Sequence, residues 1–160
     1  ISDKIDFAFI DNNFVIFNLS ILESKFGFNE RYLKMANESL TFIKQKNILT
    51  DTKIIQEMAS KVSFAKKLMK VKADNEVLKT PVYEMKDFLE KFETKDGKYN
   101  LAKRIKYLPK QNKFEVKTKV AATDFVRLLN DQYLYSLLTK RPFISEVQTV
   151  FENTEVKKQK

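Results

Sequence analysis

Short runs of Phe, Ile and Val at the start of the chain predict a β-hairpin. The two runs are residues 5–10 and 14–19, and Asp11, Asn12 and Asn13 stand between them. Asp and Asn tolerate positive φ angles, which a tight hairpin turn requires. We therefore expect two short antiparallel strands joined at residues 11–13.

After this hairpin, apolar residues recur at helical spacing. In residues 30–46 one side is apolar and the opposite side is charged, which predicts an amphipathic helix that Asn29 is suited to cap. Shorter helices are predicted over residues 20–26, with Ser20 as the cap and Gly27 as the end, from Thr50, over 63–71, over 81–92 with Pro81 in the first turn, and over 120–134.

Two short strands are predicted in the last third of the chain, over residues 105–108 and 113–119, around a turn at 109–112. In the second strand Phe114 and Val116 alternate with charged residues, which is typical of a half-buried strand. An extended segment over residues 142–151 follows. The predicted fold class is α+β, predominantly helical with a small antiparallel sheet of short hairpins, and the presence of only 2 Gly and 3 Pro agrees with this.

Length and composition predict one domain. A chain of 160 residues with 43% hydrophobic residues can bury a substantial core. We expect a single α+β domain over residues 1–152 and a flexible polar tail over 153–160. Because the chain opens abruptly and without Met, we also expect that it is excised from a longer polypeptide.

The net charge of +9 is concentrated in the middle of the chain. Residues 61–120 hold 17 Lys/Arg against 8 Asp/Glu, whereas residues 1–60 hold 7 against 8 and residues 121–160 hold 6 against 5. The positive residues form two groups. The helical cluster is Lys61, Lys66, Lys67, Lys70 and Lys72, and the hairpin cluster is Lys98, Lys103, Arg104, Lys106, Lys110, Lys113, Lys117 and Lys119.

This concentration of lysine favours binding to a polyanion over an ordinary solvated surface. Contacts with phosphates release counterions and add affinity without any requirement for a base sequence. Bidentate recognition of bases favours Arg, of which the chain has four, so the composition indicates contact with the phosphate backbone. Tyr99 and Tyr107 lie within the hairpin cluster and could stack on unpaired bases, or pack at the edge of the core.

Candidate catalytic chemistry is sparse. The chain has no Cys and no His, which excludes thiolate nucleophiles, disulfides and imidazole acid–base catalysis. Acidic residues could gather around Mg²⁺ as in nucleases. Three of them have a structural explanation, however: Asp11 lies in a turn, Asp131 at a helix end and Asp124 in the first turn of a helix. The segment Glu115-Val-Lys117 is one loose match to a nuclease motif. We expect no enzyme activity, no cofactor and no metal; the acidic candidates were Asp6, Asp11, Asp124, Asp131 and Glu146.

Several stretches resemble the C-terminal domain of the KwaB family of Kiwa anti-phage defence proteins. They are Phe14-Val-Ile-Phe-Asn18, Phe26-Gly-Phe28, Phe64-Ala-Lys-Lys-Leu-Met-Lys-Val71, Leu128-Leu-Asn-Asp-Gln-Tyr133 and Ser136-Leu-Leu-Thr139. The resemblance implies a bacterial defence component that binds DNA through this domain and acts with a membrane-embedded partner, KwaA. It implies no catalytic residues, and it implies a further N-terminal part in the relatives.

Three hypotheses of function follow. The first is a nucleic-acid-binding domain, cytoplasmic because no apolar run approaches the ~20 residues of a membrane span, and brought to the inner face of the membrane by a partner. The second is a protein–protein module or homodimer that uses the opening hairpin or the apolar region Leu134–Phe143. The third is a metal-dependent nuclease.

Overall fold

The computed structural model describes residues 6–93 and 99–145. This part of the chain contains eight helices: α1 (Leu19–Lys25), α2 (Phe28–Lys46), α3 (Lys53–Ala59), α4 (Val62–Leu68), α5 (Glu76–Lys79), α6 (Val82–Lys91), α7 (Leu101–Arg104) and α8 (Lys119–Leu129). Its six strands are β1 (Phe7–Ile10), β2 (Asn13–Ile16), β3 (Lys106–Leu108), β4 (Lys113–Glu115), β5 (Tyr133–Tyr135) and β6 (Pro142–Ile144). The predicted α+β class is confirmed, with three separate two-stranded antiparallel sheets in place of one.

The opening hairpin is confirmed with a two-residue turn. β1 and β2 pair antiparallel with Phe9 opposite Phe14, and Asp11 and Asn12 have φ angles of 48° and 61°. The cap of α1 differs from the prediction, because the side chain of Asn18 accepts the amide hydrogen bond of Ile21 at 3.3 Å. Ser20 lies inside that helix.

The long amphipathic helix α2 begins one residue before its predicted cap. Gly27 has a φ of 70° and links α1 to α2, so Asn29 lies in the first turn of α2 and does not cap it. Asn47, with a φ of 54°, ends the helix. The apolar side of α2 is buried at Ala36, Leu40 and Ile43, as the spacing predicts.

Helix α8 lies at the centre of the core. Phe125, Val126 and Leu129 are fully buried, and α8 contacts α3, α4, α5 and α7. The helix ends at Leu129 and not at residue 134, because Asp131 adopts a φ of 52° and the chain turns back into β5. β5 and β6 form an antiparallel hairpin.

The β3–β4 hairpin is held against the core by Phe114, which is fully buried. A short extended segment lies beside it, since the amide of Phe114 donates to the carbonyl of Ile48 at 2.8 Å and the amide of Thr50 donates to the carbonyl of Phe114 at 2.9 Å. β4 is shorter than predicted and ends at Glu115. The buried side chain of Val116 confirms the predicted alternation.

Two short helices, α5 and α7, were not predicted. Each has four residues and begins after an asparagine, Asn75 or Asn100, whose side chain accepts an amide hydrogen bond of the first turn. The predicted loop at residues 94–98 and the segment 146–160, including the predicted tail, lie outside the described residues. None of the described helices is long and apolar enough to cross a membrane.

Candidate nucleic-acid interface

The helical cluster lies along α4 and the turn that follows it. Lys61 occupies the N-cap position of α4, Lys66 and Lys67 lie in its last turn, and Lys70 and Lys72 come directly after it. A groove of about 750 Å³ lies between α4, α1 and the N-terminal part of α2. We call it the α4 groove; it is lined by Ser20, Glu23, Asn29, Tyr32, Val62, Ser63, Lys66, Lys67, Met69 and Lys70.

The ammonium group of Lys66 is held inside the α4 groove by an acidic partner. Lys66 forms an ion pair with Glu23 of α1, and its Nζ atom lies 5.0 Å from the centre of the Tyr32 ring. The Tyr32 hydroxyl donates to the other carboxylate oxygen of Glu23 at 2.9 Å. Hydrogen bonds from Lys66 and then from Tyr32 lower the pKa of Glu23 below its ordinary value of 4.5. The charge of Lys66 is therefore balanced within the protein.

The rest of the helical cluster is exposed to solvent. None of its four other lysines forms an ion pair with a carboxylate of residues 6–93 or 99–145; they are Lys61, Lys67, Lys70 and Lys72. Exposed lysines without an internal partner can approach an external anion at little cost, because no existing contact has to break. These four residues are the available part of the cluster.

Three of the cations in the hairpin cluster have partners within the protein. Arg104 pairs with Asp124, Lys117 pairs with Glu115 at 2.9 Å, and Lys113 donates to the side-chain oxygen of Asn47 at 2.7 Å. The others are exposed and form no ion pair with the carboxylates of the described ranges; they are Lys103 on α7, Lys106 on β3, Lys110 in the turn and Lys119 at the start of α8. Lys98 lies outside the described residues.

The packing of α4 beside α8 brings the helical cluster near one residue of the hairpin cluster, Lys119. The side chain of Asn130, at the C-terminal end of α8, donates to the carbonyl of Lys67 at 2.9 Å. Near the other end of α8, Met58 lines a depression with Lys119, and the amide of Lys61 donates to the carbonyl of Met58 at 2.9 Å. α4 therefore runs alongside α8 in the same direction. Lys61, Lys67, Lys70 and Lys72 on and beside α4 and Lys119 at the start of α8 therefore belong to two neighbouring helices. The other exposed lysines of the hairpin cluster lie on α7, on β3 and in the turn after β3.

A buried carboxylate, Asp124, forms the densest polar contacts near the hairpin cluster. Its position differs from the prediction, because it is the sixth residue of α8, beyond the first turn, and is only 1% exposed. One oxygen accepts from the hydroxyls of Tyr99 at 2.8 Å and Tyr133 at 2.9 Å. The other oxygen accepts from Nη1 of Arg104 at 2.8 Å. The sequence offered one signal, an acidic residue on an otherwise apolar helix face.

Arg127 completes this group. Its Nη1 lies 3.7 Å from the Asp124 carboxylate and donates to the hydroxyl oxygen of Tyr99 at 3.0 Å. The hydrogen bond with Asp124 raises the pKa of Arg104. Burial, reinforced by the negative charge of Asp124, raises the pKa of Tyr133 far above its ordinary value. Arg104 and Tyr133 are therefore held in the protonation states that their contacts with Asp124 require.

The two tyrosines of the hairpin cluster pack within the protein. The guanidinium carbon of Arg104 lies 4.2 Å from the centre of the Tyr99 ring, and the Tyr99 hydroxyl contacts Asp124 and Arg127 within the protein. The Tyr107 ring lies 5.7 Å from the Phe114 ring, and its hydroxyl donates to Asn112 at 3.0 Å. This geometry agrees with packing at the edge of the core, the alternative to base stacking.

The acidic residues do not assemble into a metal site in the described ranges, where no group of three or more side chains is positioned to hold an ion. Asp11 lies in the turn of the opening hairpin, and Asp131 follows the end of α8, as predicted. The backbone carbonyl of Asp6 accepts two amide hydrogen bonds from residues 17 and 18. Glu146 lies outside the described residues.

Comparison with known proteins agrees with the resemblance found in the sequence motifs. The model of the Kiwa protein KwaB-like family matches residues 1–139. The chain belongs to the Kiwa KwaB-like family. This KwaB-like chain is 26% identical over 147 residues to the Kiwa protein KwaB of Escherichia coli O55:H7 (strain RM12579 / EPEC), an alignment that covers 89% of the chain and 45% of that relative. The chain thus spans less than half the length of the relative. No solved structure matches it at a significant level.

Proposed function

We propose that this KwaB-like chain binds DNA through the phosphate backbone, as part of a bacterial anti-phage defence protein. The proposal rests on the exposure and the ion pairing of the twelve predicted contact residues. Eight of them are exposed lysines without an ion pair to any carboxylate of residues 6–93 and 99–145. Lysines in that state offer positive charge to an external polyanion, and the phosphates of DNA provide the matching negative charge.

The expected mode of binding is independent of base sequence. Lysine makes point-charge contacts, whereas the planar guanidinium of arginine suits bidentate contacts with bases. If all eight lysines reached phosphates, the logarithm of the binding constant would fall with the logarithm of the salt concentration with a slope of about −7. A smaller slope would count the lysines that make contact.

A salt titration tests the proposal. Fluorescence anisotropy with random duplex and single-stranded DNA would be measured between about 50 and 200 mM salt. The double variant Lys67→Gln/Lys70→Gln should reduce the slope by about 2. The matched control Lys34→Gln/Lys46→Gln removes two exposed lysines of α2 and should change the slope much less. Absence of binding at low salt would end the proposal.

We also propose that the chain acts without catalysis. Glu115 at the end of β4 and Lys117 just after it, the two residues of the loose nuclease match, are paired with each other at 2.9 Å, and Lys117 is mostly exposed. Such a pair gives a simple structural account of both residues. Cleavage of DNA during incubation with Mg²⁺ or Mn²⁺ would overturn this part of the proposal, and intact DNA would support it.

Self-association is the second candidate function. Large apolar side chains are exposed at two places, with Phe9 at 68% and Phe17 at 62% on and beside the opening hairpin, and Leu137 at 86% and Leu138 at 95% between β5 and β6. Exposed apolar groups of this kind favour contact with another protein surface. Such a partner is a second copy of the chain or the membrane-embedded KwaA that the family resemblance implies.

Two measurements separate these partners. Light scattering reports the mass of the chain alone, and the variants Phe9→Ser and Leu137→Ser/Leu138→Ser should lower the mass if the exposed groups join two copies. Co-purification with KwaA from detergent-solubilised membranes tests the other partner with the same variants. A monomer that does not co-purify with KwaA would contradict this candidate.

A further inference from the structure

Half of the arginines in the chain converge on one depression. The chain has 30 basic residues, of which four are arginines: Arg31, Arg104, Arg127 and Arg141. Arg104 and Arg127 both line a shallow depression of about 250 Å³ between α7 and α8, together with Lys119, Thr123, Tyr99 and Asp124. We call it the α7–α8 depression. Because almost all other basic residues of the chain are lysines, arginine at both of these positions indicates a role that a guanidinium group fills better than an ammonium group.

The charge of the α7–α8 depression is positive on the side that solvent reaches. Among the residues that the structure describes, three cations and one carboxylate line it, a net charge of +2. The carboxylate of Asp124 is inaccessible, whereas the side chains of Arg104 and Arg127 are 29% and 21% exposed and Lys119 is exposed. An anion that entered the depression would therefore meet the cations and not the carboxylate.

The guanidinium groups are held in place before any ligand arrives. Nη1 of Arg104 is bonded to Asp124 at 2.8 Å while its planar group lies over the Tyr99 ring, and Nη1 of Arg127 donates to the Tyr99 hydroxyl. A planar guanidinium matches the spacing of phosphate oxygens better than an ammonium group does. Fixing both groups in advance lowers the entropy that binding would otherwise cost.

The start of α8 adds to this arrangement. Lys119 and Val120, the first two residues of the 11-residue helix, line the depression. The first amides of a helix have no carbonyl partner within it, and the helix dipole places positive charge at this end. The Thr118 side chain already accepts from the amide of Ala121 at 3.1 Å, so the amides of Lys119 and Val120 are the ones that an anion would meet.

We propose that the α7–α8 depression is a binding site for one phosphate group, held by Arg104, Arg127 and Lys119. Its volume of about 250 Å³ is below the ~300–1,000 Å³ of pockets that enclose a whole drug-sized ligand, so the remainder of the ligand lies outside. The phosphate comes from the DNA backbone, in which case this inference rests on the proposed function, or from a terminal or free phosphate. Where the other seven exposed lysines supply affinity, this site fixes the position of the strand.

Titration with inorganic phosphate tests the site without DNA. In ¹⁵N-labelled protein, phosphate should shift the amide signals of residues 119–123 and the Nε signals of Arg104 and Arg127, and should leave the signals of α2 unchanged. Lys119→Gln removes an exposed lysine that has no ion pair in the described ranges, so folding should be unaffected while phosphate binding weakens about tenfold. Lys34→Gln on α2 makes the same change of charge elsewhere and should have little effect.

Two oligonucleotides identify the source of the phosphate. Better binding of a 5′-phosphorylated strand than of its 5′-hydroxyl form would assign the site to a terminal phosphate, and equal binding that Lys119→Gln weakens would assign it to the backbone. Shifts that are absent, or equal losses in Lys119→Gln and Lys34→Gln, would overturn the site. If DNA still binds when the phosphate site is disproved, the proposed function stands. If phosphate shifts the signals but DNA does not bind, the proposed function is wrong and the phosphate site stands.

Discussion

Asp124→Asn removes the negative charge that joins α7, α8 and β5. The amide keeps one oxygen to accept from Tyr99 and Tyr133, but Arg104 and Arg127 lose the charge that balances them. Removing one partner of a buried ion pair costs about 3–5 kcal/mol. Because solvent partly screens both guanidinium groups, we expect a loss at the lower end, about 3 kcal/mol in the free energy of unfolding.

Urea denaturation followed by circular dichroism measures this loss. For a chain of this size, about 3 kcal/mol corresponds to a decrease in Tm of about 6–12 °C. The control Asp74→Asn makes the same chemical change at an exposed residue without an ion pair in the described ranges, and should stay within about 0.5 kcal/mol of the wild type. If Asp124→Asn lowered the free energy of unfolding by less than about 1 kcal/mol, or by no more than the control, the carboxylate would not stabilise the fold as its contacts indicate.

Three further predictions use the charged and phenolic groups of the site. Glu23→Gln releases Lys66 for contact with DNA, so the salt slope of binding should steepen by about 0.9, and an unchanged slope would show that Lys66 does not reach a phosphate. The lowered pKa of Glu23 contributes stability that is present above its ordinary value of 4.5 and is lost as the pH falls below that value. In urea denaturation, Glu23→Gln should therefore lose less stability in acid than the wild type does. The raised pKa of Tyr133 keeps its hydroxyl protonated in the folded protein, whereas in the unfolded chain Tyr133 ionises above its ordinary pKa of 10.0. The folded state is therefore favoured below that pH, and this part of the stability is lost as the pH rises. Tyr133→Phe should therefore lose less stability than the wild type between about pH 9 and 11, and an identical pH dependence in both proteins would contradict the assignment.

Local backbone chemistry made the opening hairpin and the start of α6 predictable, whereas the predicted caps of α1 and α2 were wrong. Asp11 and Asn12 adopt the positive φ angles for which their side chains are suited, and Pro81 stands at the start of α6. Alternation of apolar and charged residues predicted that Phe114 is buried and that its neighbours Lys113 and Glu115 are more exposed. Each of these signals acts within a few residues, so the sequence contains them in full.

The end of α8 and the presence of α7 depend on contacts between distant residues. Apolar residues continue past Leu129 because β5 is also buried on one side, so helical spacing alone does not show where the helix stops. The four residues of α7 are too few to show a period, and Arg104 is bonded to a carboxylate that lies 20 positions away. Tertiary structure therefore decides both elements.

The positive charge of the candidate interface was visible in the sequence, but which of its residues are free of an internal ion pair was not. Lys66 and Lys67 are neighbours, yet Lys66 is neutralised by a residue 43 positions away while Lys67 is exposed. The same distinction separates Arg104 from Lys103 on α7. Counting charges identifies a region, whereas the pairing that selects residues within it requires the folded chain.

The separation of the three hairpins means that they need not open together. Within the described ranges no strand pairing links them into one sheet, so each depends on its own contacts with the helices. Phe114 anchors the β3–β4 hairpin and Tyr133 the β5–β6 hairpin in the core, whereas the Phe9–Phe14 pair of the β1–β2 hairpin is exposed. Amide protons of the β1–β2 hairpin should accordingly exchange with solvent first, and a protease should cut there before it reaches the rest of the domain.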